Sequence, residues 1–164
     1  MSEDFVPQDF IVPKLLKTDH YLLEMLTPDV AEMDFEAVMS SRVRLRSIFE
    51  KHSDWPEENM SLKDNIRDLE QHEQEFISRQ AFAYTVLTLT KEKCIGCVYF
   101  NPSTVSEFDC EVYLWVRDSA MNLDTDLYQK VQQWLNNQWP FKRIAFPGRK
   151  IPWDIWNAYP KKGT

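Results

Sequence analysis

At 164 residues, 43% hydrophobic and 13% aromatic, the chain has the length and apolar content of one folded domain spanning residues 1–164, not of a disordered segment. A formal net charge of −7 argues against a nucleic-acid surface, and no apolar run exceeds about eight residues, short of the roughly 20 that a bilayer span needs. The polar start Met1-Ser2-Glu3-Asp4 is no signal peptide, so Cys94, Cys97 and Cys110 are expected as reduced thiols in the cytoplasm.

The apolar run from Phe10 to Leu16 reads as a first strand, with Pro13 marking an edge or an early break. Thr18-Asp19 then reads as a helix cap before Tyr21, Leu22, Met25 and Leu26, which share a helical face. Thr27-Pro28 restarts the chain with a cap residue followed by proline at the first helical position. Phe35, Val38, Met39, Leu45 and Phe49 recur at mostly helical spacing, with Arg42, Arg44 and Arg46 on the wetter sides and a polar stretch from His52 to Asn59 ending the helix. Ser61-Leu62-Lys63-Asp64 has the form of a capping box, and the face Leu62, Ile66, Leu69, Phe76, Ile77 predicts a helix to about Arg79.

The period then changes to two. Ala81 to Leu89 alternates as a strand, Lys91-Glu92-Lys93 turns, and Cys94 to Phe100 returns. Cys110 to Arg117 is another strongly β-prone run, so these three strands form an antiparallel meander. Asp124 or Asp126 caps a helix carrying Leu127, Val131, Trp134 and Leu135, and Arg143 to Phe146 is a last short strand before Pro147-Gly148. A right-handed crossover through that helix makes the 110–117 and 143–146 strands parallel. The expected fold class is therefore α/β (α+β), a mixed, mostly antiparallel sheet with helices on both faces.

This order of elements, from Phe10 to Phe146, resembles the GNAT acyltransferases, which transfer an acyl group from acyl-CoA to an amine. The residues that carry the resemblance are the strand Glu111-Val112-Tyr113-Leu114-Trp115-Val116-Arg117, the following helix from Leu127 to Leu135, and Gly96 early in the preceding strand. In the family the strand-to-helix junction holds the CoA pyrophosphate and usually reads Gln or Arg, two residues, Gly, one residue, then Gly or Ala. Here the six positions are Ser119-Ala120-Met121-Asn122-Leu123-Asp124, and neither glycine is present. Glycine there lets backbone N–H groups approach phosphate closely. Asn122 still tolerates a left-handed conformation, whereas Asp124 and the nearby Asp126 bring carboxylates toward a dianion. At ~5 Å and an effective dielectric of ~20, each such carboxylate repels a phosphate charge by roughly 3 kcal/mol. The alternative is that both aspartates simply cap the helix. About eighteen residues follow Phe146, where the family continues with a helix and two strands, so the chain is expected to be a trimmed member or to have its sheet completed by a partner. Tyr159-Pro160-Lys161-Lys162-Gly163 echoes the family's tyrosine-x-lysine-x-glycine segment, whose tyrosine often serves as general acid, although Pro160 departs from the pattern.

Three other constellations carry candidate chemistry. Cys94-x-x-Cys97 matches half of a zinc or redox motif, but positions three apart on a strand face opposite ways unless a bulge intervenes, and no metal site is expected. His72 and Glu75 lie on the predicted helix, either as part of a solvated face or as a base on the substrate side. Trp139-Pro140-Phe141 and Ile151-Pro152-Trp153 read as a hydrophobic lid over one sheet face, or as a patch for a partner or a second copy of the chain.

The resemblance implies N-acyl transfer from acetyl-CoA or another acyl-CoA to a small-molecule or peptide amine. It places Trp115, Val116 and Arg117 around the thioester and pantetheine, and Ser119, Ala120, Met121, Asn122, Leu123 and Asp124 at the pyrophosphate. It makes Glu111, Tyr113 and Tyr159 the acid or base candidates. The competing expectation is a non-catalytic binding or assembly module that keeps the fold without binding CoA.

Overall fold

The computed structural model describes residues 4–163. Six strands form one sheet in sequential order: β1 Leu15–Lys17, β2 Tyr21–Met25, β3 Phe82–Thr88, β4 Cys94–Pro102, β5 Cys110–Val116 and β6 Ile144–Ala145. All neighbours are antiparallel except β5 and β6, which the helix α4 (Asp124–Gln138) connects in parallel, as the crossover rule requires. Helices α1 (Ala31–Ser40), α2 (Arg42–Leu45) and α3 (Leu62–Ile77) precede β3, and a short α5 (Trp153–Ala158) follows β6.

The sheet packs on both faces, and β5 shows why its sequence does so. Val112, Leu114 and Val116 join Leu127, Val131, Trp134 and Leu135 of α4 in one core cluster. Tyr113 and Trp115 join Ala37, Val38, Leu45 and Leu69 of the first three helices in the other. Alternating side chains thus serve two cores, which is why the strand is apolar without a break from Val112 to Val116.

Four expectations are corrected. Residues 21–25 form β2 rather than a helix. Thr18 shapes a tight turn instead of capping: its Oγ accepts from the His20 and Tyr21 amides at 3.3 and 3.2 Å, and its own amide donates to the Tyr21 carbonyl at 2.9 Å. Pairing with β3 from Tyr21↔Thr88 to Met25↔Tyr84 then outweighs the local helical pattern. The 10–16 strand is confined to its last residues, continuing only to Lys17. The helix through Phe35 and Phe49 breaks at Ser41, whose hydroxyl accepts from the Asp118 amide (2.8 Å) and so ties the break to the end of β5. Finally, Cys94 and Cys97 lie on the same face, because Val86 pairs with Gly96 and Leu87 with Cys94, leaving Ile95 as the extra residue of a bulge.

Other local signals act as read. Thr27 caps a 3₁₀ turn, Pro28–Val30, with proline first. Ser61 and Asp64 exchange both bonds of the capping box. No helix among the described residues is long and apolar enough to cross a membrane.

Candidate active site

The sheet opens between β5 and β6. Their pairing is limited to Cys110↔Ile144 and Glu111↔Ala145. The start of β6 is anchored by Asp109, whose carboxylate accepts from the Lys142 and Arg143 amides at 3.1 and 2.9 Å. Just past β6, Pro147 and Gly148 turn the chain away, with Gly148 at φ +76 and the Trp153 ring packed so closely that a Cβ would lie 2.3 Å from it. The strands therefore splay and leave a cavity of about 250 Å³, lined by Ser47, Ile48, residues 112–114 of β5 and residues 147–149.

Two arginines stand on the freed edge of β5. Arg149 donates to Asp124 through both Nη atoms, at 2.7 and 3.0 Å, and lies 3.5 Å from the Leu114 carbonyl, with its guanidinium over the Tyr128 ring. Arg44 of α2 donates to the Val116 carbonyl and to Asp118 (2.6 Å). Neither arginine was singled out as a site residue from the sequence. Arg149 had no signal beyond its place after a Pro-Gly turn, and Arg44 read only as part of a solvated helix face.

The strand-to-helix junction is a 3₁₀ segment, Asp118–Leu123. Its Ala120 amide donates to the Arg117 carbonyl and the Asp124 amide to that of Met121. Ser119, Met121 and Asn122 are exposed, while Ala120, Leu123 and Asp124 are half-buried. The capping role expected of the two aspartates is corrected: Leu123 is the cap residue, with no side-chain bond. Asp124 instead grips Arg149, and Asp126 accepts from the Tyr21 hydroxyl at 2.7 Å and pairs with Lys130. The Tyr21 bond is the main cause holding the Asp126 carboxyl below its ordinary value.

Trp115 and Val116 are wholly buried, the indole of Trp115 donating to the Tyr99 hydroxyl at 3.0 Å. Arg117 reaches back to α1, where both its Nη atoms meet the Glu36 carboxylate, and also donates to Ser119 and the Cys94 carbonyl. These contacts lower the Glu36 carboxyl and raise the arginine further. This residue fastens α1 to the end of β5.

Glu111 and Tyr113 form a pair. The Tyr113 hydroxyl donates to Glu111 Oε1 at 2.6 Å, while Oε2 accepts from the Thr104 amide, the Thr104 hydroxyl (2.6 Å) and Ser103 (3.3 Å). Burial first, and then the Glu111 carboxylate, holds the Tyr113 phenol well above its ordinary value, so it stays protonated at neutral pH. Tyr113 also lines the cleft. Tyr159 does not: it packs on Phe108 and Trp156 in a separate cluster beyond β6.

On the α1–α3 side of the sheet, Asp34 is only 2% exposed. Its carboxylate accepts from Asn65 Nδ2 (2.9 Å) and the Cys97 thiol (3.4 Å), and burial raises its pKa despite both bonds. A carboxyl raised in the folded state favours folding at low pH and loses that contribution as pH rises above the ordinary carboxylate range. Asp34→Asn should therefore gain stability relative to the parent as pH increases from 4 to 8. Urea denaturation at both pH values checks this, and an unchanged difference would count against it.

No protein-family model matches the sequence, and no curated protein matches it. Solved structures do match in shape. The Vibrio fischeri ribosomal-protein-S5-alanine acetyltransferase aligns with TM-score 0.58 and 18% identity, over 74% of this chain and 66% of that one. The microcin C7 self-immunity acetyltransferase MccE, solved in complex with acetyl-CoA and AMP, aligns with TM-score 0.56 and 15% identity over 73% and 64%. A Bordetella pertussis protein assigned to the GNAT acetyltransferases aligns with TM-score 0.56 and 14% identity over 80% and 77%. This chain thus spans just under two thirds of the first two structures, 66% and 64%. At these identities the likeness speaks for architecture alone. The six-stranded sheet, splayed between its two parallel strands, has the fold of the GNAT acetyltransferases.

Proposed function

We propose that this protein is an acyl-CoA-dependent N-acyltransferase whose acyl thioester lies in the cleft between β5 and β6. The observation that carries this reading is the splay itself: two parallel strands that pair for two residues and then part around a cavity of about 250 Å³. The thioester end fits such an arm, because β5 has no partner strand on its β6 side beyond Glu111, which leaves backbone N–H groups there to steady an oxyanion. The amine attacks the thioester carbonyl, forming the C–N bond as the C–S bond breaks, and its proton leaves through water. Water returns the proton to the departing thiolate, while Tyr113, its single O–H held by Glu111, forms a fixed wall of the cleft.

The phosphate end fits poorly. The amides of Ala120 and Asp124 already have partners, and Arg149 is engaged by Asp124. That pairing favours a second reading, in which the fold serves as a binding module and the arginine seals the cleft.

Substitution of Asp124 separates the two readings. Arg149 neutralises much of the repulsion that Asp124 alone would exert, so the carboxylate's principal effect is to occupy the guanidinium. Asn122→Gly with Asp124→Asn should free Arg149 for phosphate and tighten acetyl-CoA about tenfold, about 1.4 kcal/mol. The parent should show no thermal shift at low micromolar acetyl-CoA and a measurable one at millimolar. No gain in the double variant would mean that this junction does not face a cofactor, and the module reading would lead.

A further inference from the structure

Between α1, α3 and residues 46–61, another cavity of about 250 Å³ opens beside the sheet. Three aromatic rings wall it: Phe49 lies 5.4 Å from Trp55 and 5.0 Å from Tyr99, centroid to centroid. Asp34, Asn65, Asp68, Gln71 and His72 form the polar part, and no Lys or Arg among the described residues lines it. The buried Asp34 carboxylate has only neutral partners, the Asn65 amide and the Cys97 thiol. Asp68 lies on the solvent side and accepts from Trp55. Burial pushes both carboxyls up and the His72 imidazole down, so the histidine brings no positive charge at neutral pH.

A buried carboxyl without a counter-ion holds its proton more tightly, and a cation that enters beside it favours the ionised form. An anionic ligand would meet two acidic side chains and no cation among the lining residues. A neutral apolar one would leave both carboxyls without a new partner. Among the described residues no group of three or more His, Cys, Asp or Glu side chains is placed to hold a metal ion. Aromatic faces attract organic cations through their quadrupoles, and carboxylates prefer cations that carry N–H donors.

We propose that this cavity binds a primary alkylammonium ion, with its headgroup between Asp34 and Asp68 and its methylenes against Phe49, Trp55 and Tyr99. The Phe49 ring also lies 5.2 Å from that of Tyr113, which lines the β5–β6 cleft, so the walls of the two cavities are in contact. Naming this ammonium as the acyl acceptor rests on the acyltransferase reading; its binding does not.

The test is a titration of the full chain with n-butylammonium chloride, followed through the indole N–H resonance of Trp55, with 1-butanol and equimolar sodium chloride as controls. A saturable shift is expected with the ammonium alone. Asp68→Asn, at an exposed position, should weaken binding about tenfold, the loss of one charge-assisted hydrogen bond. Equal shifts with butanol, or an Asp68→Asn variant that binds as well as the parent, would overturn the proposal. Butylammonium binding in a protein that never takes acetyl-CoA would uphold the cation site and remove the acyl-transfer reading. Turnover of acetyl-CoA without butylammonium binding would do the reverse.

Discussion

Deleting residues 151–164 is expected to cost about 4–6 kcal/mol and leave the chain close to unfolding, out of the 5–15 kcal/mol typical of a domain. The sequence left open whether this aromatic tail packs on its own chain or on a second copy, and the structure places it in cis. Trp156 is 3% exposed, buried with Val105 and Ala145 and in ring contact with Phe108 and Tyr159. Burial of one large aromatic side chain contributes about 1.5–3 kcal/mol, and the half-buried Ile151, Trp153 and Tyr159 add to it. The backbone is tied as well, through the Val105↔Lys161 bridge and the bond from the Lys162 amide to Thr104 (2.7 Å). Thr104 in turn holds the Glu111 carboxylate, so the deletion should disturb the Glu111–Tyr113 pair too. Urea denaturation gives the stability, and a truncated chain as stable as the parent would refute the packing.

Gly96→Ala should be more damaging per atom than any other single substitution in the sheet, costing upwards of about 4 kcal/mol. A Cβ on Gly96 would lie 1.9 Å from the carbonyl oxygen of Trp115 and 2.9 Å from its carbon. Both are backbone atoms at the end of the β4–β5 pairing, where Gly96 faces Val116, so no rotamer change relieves the clash and the strands must part there. The bulge at Ile95 sits beside this contact, and the Arg117 amide donates to the Ile95 carbonyl at 2.7 Å. Hydrogen exchange should show β4 and β5 losing protection together. Protection unchanged in both strands would mean that the backbone has slack here that the close approach denies.

Part of this protein was decided locally and could be read from its residues. The capping box at Ser61 and Asp64, the 3.6-residue stripe of α3, and the period-two runs of β3, β4 and β5 all involve neighbours a few residues apart. Their patterns point one way, and the order of elements then leaves the β5–α4–β6 crossover a single hand. The resemblance to the acyltransferase fold followed from that order, and so did the shared face of Glu111, Tyr113 and Trp115.

What residues 21–25 become, and what the candidate sites look like, rests on contacts that no local pattern encodes. Tyr21, Leu22, Met25 and Leu26 satisfy helical spacing, but pairing with β3, about sixty residues away in sequence, makes the first three part of a strand. One inserted residue at Ile95 turns Cys94 onto the face of Cys97, whose thiol meets Asp34 on α1. Asp124 looks like a repulsive carboxylate until Arg149, twenty-five residues on, folds over it. The cavity beside Asp34 is assembled from a helix, a loop, a second helix and a strand, so its aromatic rings and carboxyls share no spacing. Backbone preferences are settled within a turn or two of chain, whereas charge compensation and ring packing are settled by whichever segments the sheet brings together, and only the tertiary structure decides that.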